Sequence, residues 1–272
     1  MLRARRLASA VVAASLAVGG LSACRSEPNV AAYIGDGGQV SEQRVQEVWD
    51  EVRDGLTDSA EQAAAAAEAK QRDDEKKRRD SGLPVEPAPT ITAPPVQMPV
   101  SRTDVVRALV SQRLYAEVAE RHQVSLPAGL AYDQVAEQMK LPAGSEFVRL
   151  TAQVDAYRGA LEQAIKVPAE PAEQDLRMIY DRLAANGGIE PGQDFAAWQA
   201  TVNPSNKQAV ALAGAVRSEV ETVVKEWNVV VNPRYHPFEL NLLSASTASG
   251  GAIPLLSAEV GDDERAPVVD AS

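Results

Sequence analysis

Val229-Val230-Val231-Asn232-Pro233-Arg234-Tyr235, set against Val30-Ala31-Ala32-Tyr33-Ile34, decides the fold of this chain. Three β-branched residues in a row favour a strand, and Asn232-Pro233 closes it. Val30–Ile34 is short and apolar and runs into Gly35-Asp36-Gly37-Gly38, so it reads as a strand leading into a turn. The segments between them carry helical spacing. One short strand opening a helical stretch and another closing it are expected to pair with each other. The predicted fold class is mostly α, with a short N-terminal strand paired to a short C-terminal strand across residues 30–235.

Working inward, Ser41 is placed to cap a helix, with Glu42 at its positive end. Val45, Val48, Trp49, Val52 and Leu56 then recur at three- and four-residue spacing and define one apolar face. Ser101 and Asp104 resemble a capping box with Asp in place of the usual Glu. Val105, Val106, Leu109, Val110, Leu114, Tyr115 and Val118 follow, and the helix ends near His122. A shorter helix over about 128–140 stops at Pro142-Ala143-Gly144. Phe147, Leu150, Val154, Tyr157, Leu161 and Ile165 give a clean amphipathic period. After Pro168 and Pro171, residues 172–185 form a helix closed by Asn186-Gly187-Gly188. Phe195 and Trp198 mark a short helical piece, and residues 205–227 a last long helix.

Three stretches lack such a face. Ala63 to Ala67 and the mixed charges from Lys70 to Asp80 favour helix yet have nothing to bury, so they predict an arm that projects into solvent or frays. Its charges read as a solvated face ahead of a binding site. Residues 83–99 hold six prolines and predict an extended, polyproline-like linker, a spacer ahead of a ligand for some partner. Beyond Leu243 the chain turns to Ser, Ala, Gly and acidic residues, and 236–272 is expected to be a disordered acidic tail.

Residues 1–23 have the zones of an export signal: Arg3, Arg5 and Arg6, then an uncharged apolar run of about fifteen residues, too short to span a bilayer. Leu21-Ser22-Ala23-Cys24 resembles a bacterial lipobox. That resemblance implies cleavage after Ala23, acylation of the Cys24 thiol, a tether over 24–29 and an extracytoplasmic location, lipid-anchored on the outer face of the cell membrane. Two or more acyl chains hold a protein firmly. The alternative is an ordinary secretory signal with a chance cysteine. Cys24 is the only cysteine, so no intramolecular disulfide supports the fold.

Loss of residues 1–23 removes three of the 27 basic residues and none of the 38 acidic ones, which leaves a charge of −14. Such a surface repels nucleic acid and resists anionic lipid, so membrane contact falls to the lipid on Cys24. Catalytic signatures are sparse. His122 and His236 have no second ligand at metal spacing, no serine sits in a nucleophile elbow, and Gly35–Gly38 lacks the Lys-Ser/Thr of a phosphate loop. No catalytic or metal residue, cofactor or small-molecule substrate is expected. Trp49, Tyr115, Tyr157 and Trp227 would suit a groove for unfolded peptide, but each lies on a regular helix face where core packing is the default.

The order of these pieces resembles the N-terminal chaperone module of SurA-like and PrsA-like foldase lipoproteins. The match is carried by the Val30–Ile34 strand, the Gly35–Gly38 turn, Ser41, the run Arg107-Ala108-Leu109-Val110 with Leu114, and Val229 to Tyr235, whose valine-led closure is typical of actinobacterial versions. The resemblance implies a non-catalytic holdase for unfolded or newly exported polypeptides. Many relatives insert a parvulin domain, and the stretch from Ile165 to Lys207 is too short for one. A scaffold lipoprotein with one specific partner is the second expectation, and a peptidyl-prolyl isomerase the third.

Overall fold

The computed structural model describes residues 28–35, 38–84, 89–246 and 251–261. Ala23 and Cys24 lie outside them. The fold is mostly α. Strand β1 (Val30–Ile34) lies between β2 (Gly38–Ser41) and β3 (Val230–Val231) in an antiparallel sheet of order β2-β1-β3. The opening and closing strands pair, with Ala32 opposite Val231 and Tyr33 opposite Val230. The segment after Gly35 also returns as a strand, placing Val40 opposite Ala32 before Ser41 caps the first helix.

The residues after β3 lock this closure. Asn232 donates its amide to Val30 O at 3.1 Å and accepts from Arg234 N at 3.2 Å, holding Pro233–Tyr235 in a 3₁₀ turn. Arg234 donates to Pro28 O at 3.2 Å, and the Tyr235 hydroxyl donates to Glu42 Oε2 at 2.6 Å. Asn232, Arg234 and Tyr235 thus tie the closing segment to Pro28, to β1 and to the start of the first helix.

Seven helices follow among the described residues: α1 (Glu42–Asp80), α2 (Arg102–Arg121), α3 (Tyr132–Met139), α4 (Glu146–Ala164), α5 (Glu173–Ala185), α6 (Phe195–Thr201) and α7 (Pro204–Glu226). Their starts follow from local chemistry. Ser41 accepts from Arg44 N, Ser101 and Asp104 complete the capping box, and Asn203 accepts from Asn206 N with Pro204 at the first helical position. Ser145 makes no such bond. Instead Glu51, on α1, accepts from Glu146 N at 3.1 Å and fixes α4 against α1. The core is aliphatic and dense: Val105, Val106, Val110, Leu114 and Val118 of α2 are fully enclosed, with Val45, Val148, Leu161, Val220 and Val223 from its neighbours.

Helix α1 does not fray. It continues to Asp80, about 42 Å past Val52, its last buried residue. Residues 89–99 contain no helix or strand, as the prolines dictate, but they are not a spacer between separate bodies. Trp49 donates its indole N–H to Val100 O at 3.0 Å, and Gln71 donates to Pro89 O at 3.5 Å, so this stretch runs back along α1. The lengths agree. From Gln71 back to Trp49 the helix spans about 33 Å at 1.5 Å per residue, and the stretch from Pro89 to Val100 covers about 34 Å at 3.1 Å per extended residue. Along α1, Ala60, Ala64, Glu68, Gln71 and Glu75 are half-buried at three- and four-residue spacing, as are Ile91, Ala93 and Val96 on the return limb.

One expectation is overturned. The described part of 236–272 is not a disordered tail: β4 (Glu239–Ser246) and β5 (Ala252–Glu259) pair antiparallel, while 247–250 and 262–272 lie outside the described residues. Phe238, Leu240 and Leu242 alternate inward, and Leu255, Leu256, Ala258 and Val260 are buried with them against α5 and α7. The alternation supplies the apolar surface that the average composition concealed. The domain therefore extends to at least residue 260.

Candidate functional site

Helix α5 borders two surface features that could contact another molecule. On one side, Arg182 donates to Glu239 Oε2 at 2.5 Å, to Ser257 Oγ at 2.8 Å and to Pro254 O at 3.1 Å. Arg107, from α2, donates to Glu239 O at 3.2 Å and pairs with Asp104 at 2.7 Å. These guanidinium groups clamp the hairpin to the helices and floor an open groove of about 720 Å³, walled also by Asn186, Pro237, Asn241 and Ile253. Burial disfavours charge on Glu239, but the hydrogen bonds from Arg182 and Ser257 and the positive charges of Arg182 and Arg107 outweigh it and hold the carboxyl below the usual range. A carboxylate held ionised in this way is a hydrogen-bond acceptor, unsuited to deliver a proton near neutral pH.

On the other side, Tyr180 of α5 meets Phe195 edge-on at 5.7 Å and Trp198 at 5.6 Å, while Phe195 and Trp198 lie 6.0 Å apart. Arg177 lies 4.2 Å over the Phe195 ring, and the Tyr180 hydroxyl donates to Gln193 O at 2.7 Å. Phe195 and Trp198 sit one turn apart on α6 and so share a face; Asp194 caps that helix through Ala197 N. Helix α6 has no buried residue and rests on α5. It is a thin flap whose aromatic underside is half-covered.

Helix α5 is also joined to α7 by a buried ion pair. Arg217 Nη2 lies 2.5 Å from Asp175 Oδ1, and Arg217 also reaches Glu221 at 3.1 Å. Asp175 is only 3% exposed, and burial pushes its carboxyl above the usual range against the pull of Arg217. Gly214 makes room for it: a Cβ there would fall 2.2 Å from Asp175 Oδ2.

The four aromatics suggested by helix spacing do not gather into one groove. Tyr115 is enclosed in the core, which pushes its hydroxyl pKa up. Trp49 sits between the arm and its return limb, with Arg102 4.8 Å over its ring. Trp227 closes over Gly35, whose N–H donates to Trp227 O at 3.1 Å. Tyr157 packs half-buried at the core's edge. His122 faces Glu219 at 3.3 Å, and the His236 ring bonds Val231 O at 3.1 Å. Among the described residues no group of three or more metal-ligating side chains converges, and no helix is long and apolar enough to cross a membrane. The spacing of Phe195 and Trp198 already hinted at the flap, whereas the Arg182–Glu239 clamp joins residues 57 apart and left no local trace. Comparison with models of known families, with characterised proteins and with solved structures finds no match.

Proposed function

We propose that this chain is a non-catalytic extracytoplasmic chaperone, anchored through a lipid on Cys24, that holds unfolded or newly exported polypeptides. The observation that carries the reading is the closed architecture: paired end strands, locked by Asn232, Arg234 and Tyr235, around helices from which a long arm and an aromatic flap project. That order of elements is the one for which the sequence resembles the chaperone module of SurA-like lipoproteins. Among the described residues only α5 and α6 stand between α4 and α7, which supports the reading without an inserted parvulin domain over the isomerase alternative. Client chains would contact the underside of the flap, where Tyr180, Phe195 and Trp198 offer aromatic surface and Arg177 a cation, and the neighbouring groove, where apolar Pro237 and Ile253 alternate with polar donors.

A second reading is favoured by one observation. Among the described residues only Leu83 is a strongly exposed large hydrophobic, so this surface is less apolar than a promiscuous holdase would use, and a scaffold with one specific partner fits it. Aggregation of a reduced model substrate separates the two. A chaperone suppresses it in molar excess, and F195A/W198A weakens the suppression while thermal unfolding is unchanged. No suppression by the parent chain, with a single dominant crosslinked partner in cells, would replace the chaperone by the scaffold.

A further inference from the structure

The far end of the arm combines two features found together nowhere else among the described residues. Its last turn contains Lys76-Lys77-Arg78-Arg79. At 3.6 residues per turn four consecutive cations ring the helix axis instead of lining one side. Just beyond, the helix closes in a Schellman motif: Gly82 takes a φ of +69°, its N–H donates to Arg79 O at 3.1 Å, and Leu83 N–H donates to Arg78 O at 3.0 Å. A hydrophobic residue in the position of Leu83 ordinarily folds back on the helix. Leu83 instead remains 57% exposed. The motif therefore presents an apolar side chain, on a backbone fixed by two hydrogen bonds, beside a collar of positive charge.

The helix dipole accounts for cations in a last turn, but not for the leucine. The intrahelical pairing is loose: Lys77 lies 3.7 Å from Asp74 with both side chains mostly in water. From Lys76 to Leu83 four cations face the single carboxylate of Asp80, in a chain whose formal charge is −11. The acidic total of the whole molecule conceals this segregation of charge.

We propose that the arm tip docks on an anionic lipid surface, with Leu83 entering the boundary between headgroups and acyl chains while Lys76, Lys77, Arg78 and Arg79 pair with the headgroups. Apolar burial combined with attraction to anionic headgroups is how peripheral segments bind membranes. A soluble polyanion would engage the collar and leave the leucine idle, so the pairing of the two favours lipid. Because the charges form a ring, contact does not depend on the roll of the arm about its axis. The opposite end of α1 is tied to Pro28, with Arg234 reaching both Pro28 O and Glu42. Attachment through residues before Pro28 and through the tip would then be two contacts about 58 Å apart on one axis, which fixes how the body faces the membrane. This inference does not rest on the chaperone reading.

The test uses the full chain carrying L83W, reconstituted with vesicles of phosphatidylcholine alone or mixed with phosphatidylglycerol, each containing brominated acyl chains. The parent chain, with its three tryptophans, supplies the background. The expected result is extra quenching of the added indole on the anionic vesicles, lost at high salt and lost in K77E/R78E/R79E/L83W, while helix content by circular dichroism is unchanged. Absence of extra quenching on anionic vesicles overturns the proposal. Equal quenching on both vesicles overturns the role of the cations. Salt-sensitive binding of an inorganic polyphosphate by the tip, without quenching by brominated lipid, replaces the lipid surface with a polyanion.

Discussion

The body and the arm of this molecule are built on different physics, although one helix runs through both. In the body α1 contributes Val45, Val48 and Val52, each essentially without solvent contact, and meets the enclosed valines of α2. Past Val52 the same helix has no fully buried residue, only a half-buried edge from Leu56 to Glu75. It is held by the high helix propensity of alanine and of alternating charges, by pairs such as Arg72–Glu68, by its terminal cap, and by the proline-rich limb along one face. The body depends on long-range contacts, so a single lesion is felt throughout. The arm depends on local ones and should yield locally.

The largest effect should come from the buried pair that joins α5 to α7. D175A leaves the Arg217 guanidinium enclosed with only Glu221 for company, and should cost about 3–5 kcal/mol in urea unfolding, the range for stranding one member of a buried pair. G214A removes no charge but fills the space that the Asp175 carboxylate uses, so it should move in the same direction. Little change in either variant would mean that the body, too, tolerates local insult.

A66P is the matching lesion in the arm. A proline inside a helix removes one hydrogen bond and clashes with the preceding turn, a local penalty of about 3 kcal/mol. Because the arm rests on local contacts, this penalty should stay in the arm. Ellipticity at 222 nm should fall and hydrogen exchange between residues 60 and 80 should quicken, with the thermal midpoint of the body unmoved. A shift of the midpoint like that of D175A would show the arm to be an integral part of the cooperative unit.

The two regimes also decide how much was legible in the sequence. Helix faces in the body were readable because burial imposes a period: Phe147, Leu150 and Leu161 kept step, and the helix they predict runs from Glu146 to Ala164. The end strands were readable because valine runs beside Gly or Pro have few other uses, and Ala32 does face Val231. The return limb was legible as extended chain, but its destination was not, since polyproline carries no periodic apolar face and its reach follows only once the length of α1 is known. The hairpin was missed because Leu240, Leu242 and Leu256 are diluted among Ser, Ala and Gly, so an average over the tail resembled disorder while alternate positions were apolar. In the candidate site, Phe195 and Trp198 left a signal one turn long. The clamp of Arg107, Arg182 and Glu239 joins three elements through charges that look like solvated surface until the fold brings them together.

The smallest effect belongs to that clamp, which is neither as enclosed as the Asp175–Arg217 pair nor as exposed as the arm. Glu239 is held below its ordinary value of 4.5, so its contribution to stability is fully present above that pH and is lost as the pH falls through the depressed value. Asp175, raised above its ordinary 3.8, runs the other way: its charge opposes folding, and that opposition is relieved as the pH falls. The parent chain's acid profile sums the two, and the difference between it and E239Q isolates the clamp. Glutamine keeps the size of the side chain, and Arg182 keeps Ser257 and Pro254 O as partners. E239Q should therefore lose about 1 kcal/mol or less at neutral pH, given that both side chains retain solvent contact. The deficit should vanish below the depressed value, where the parent's Glu239 is itself neutral. A deficit that persists unchanged into acid would mean that Glu239 holds the hairpin by shape alone, and the clamp would then belong with the core valines instead of between the two regimes.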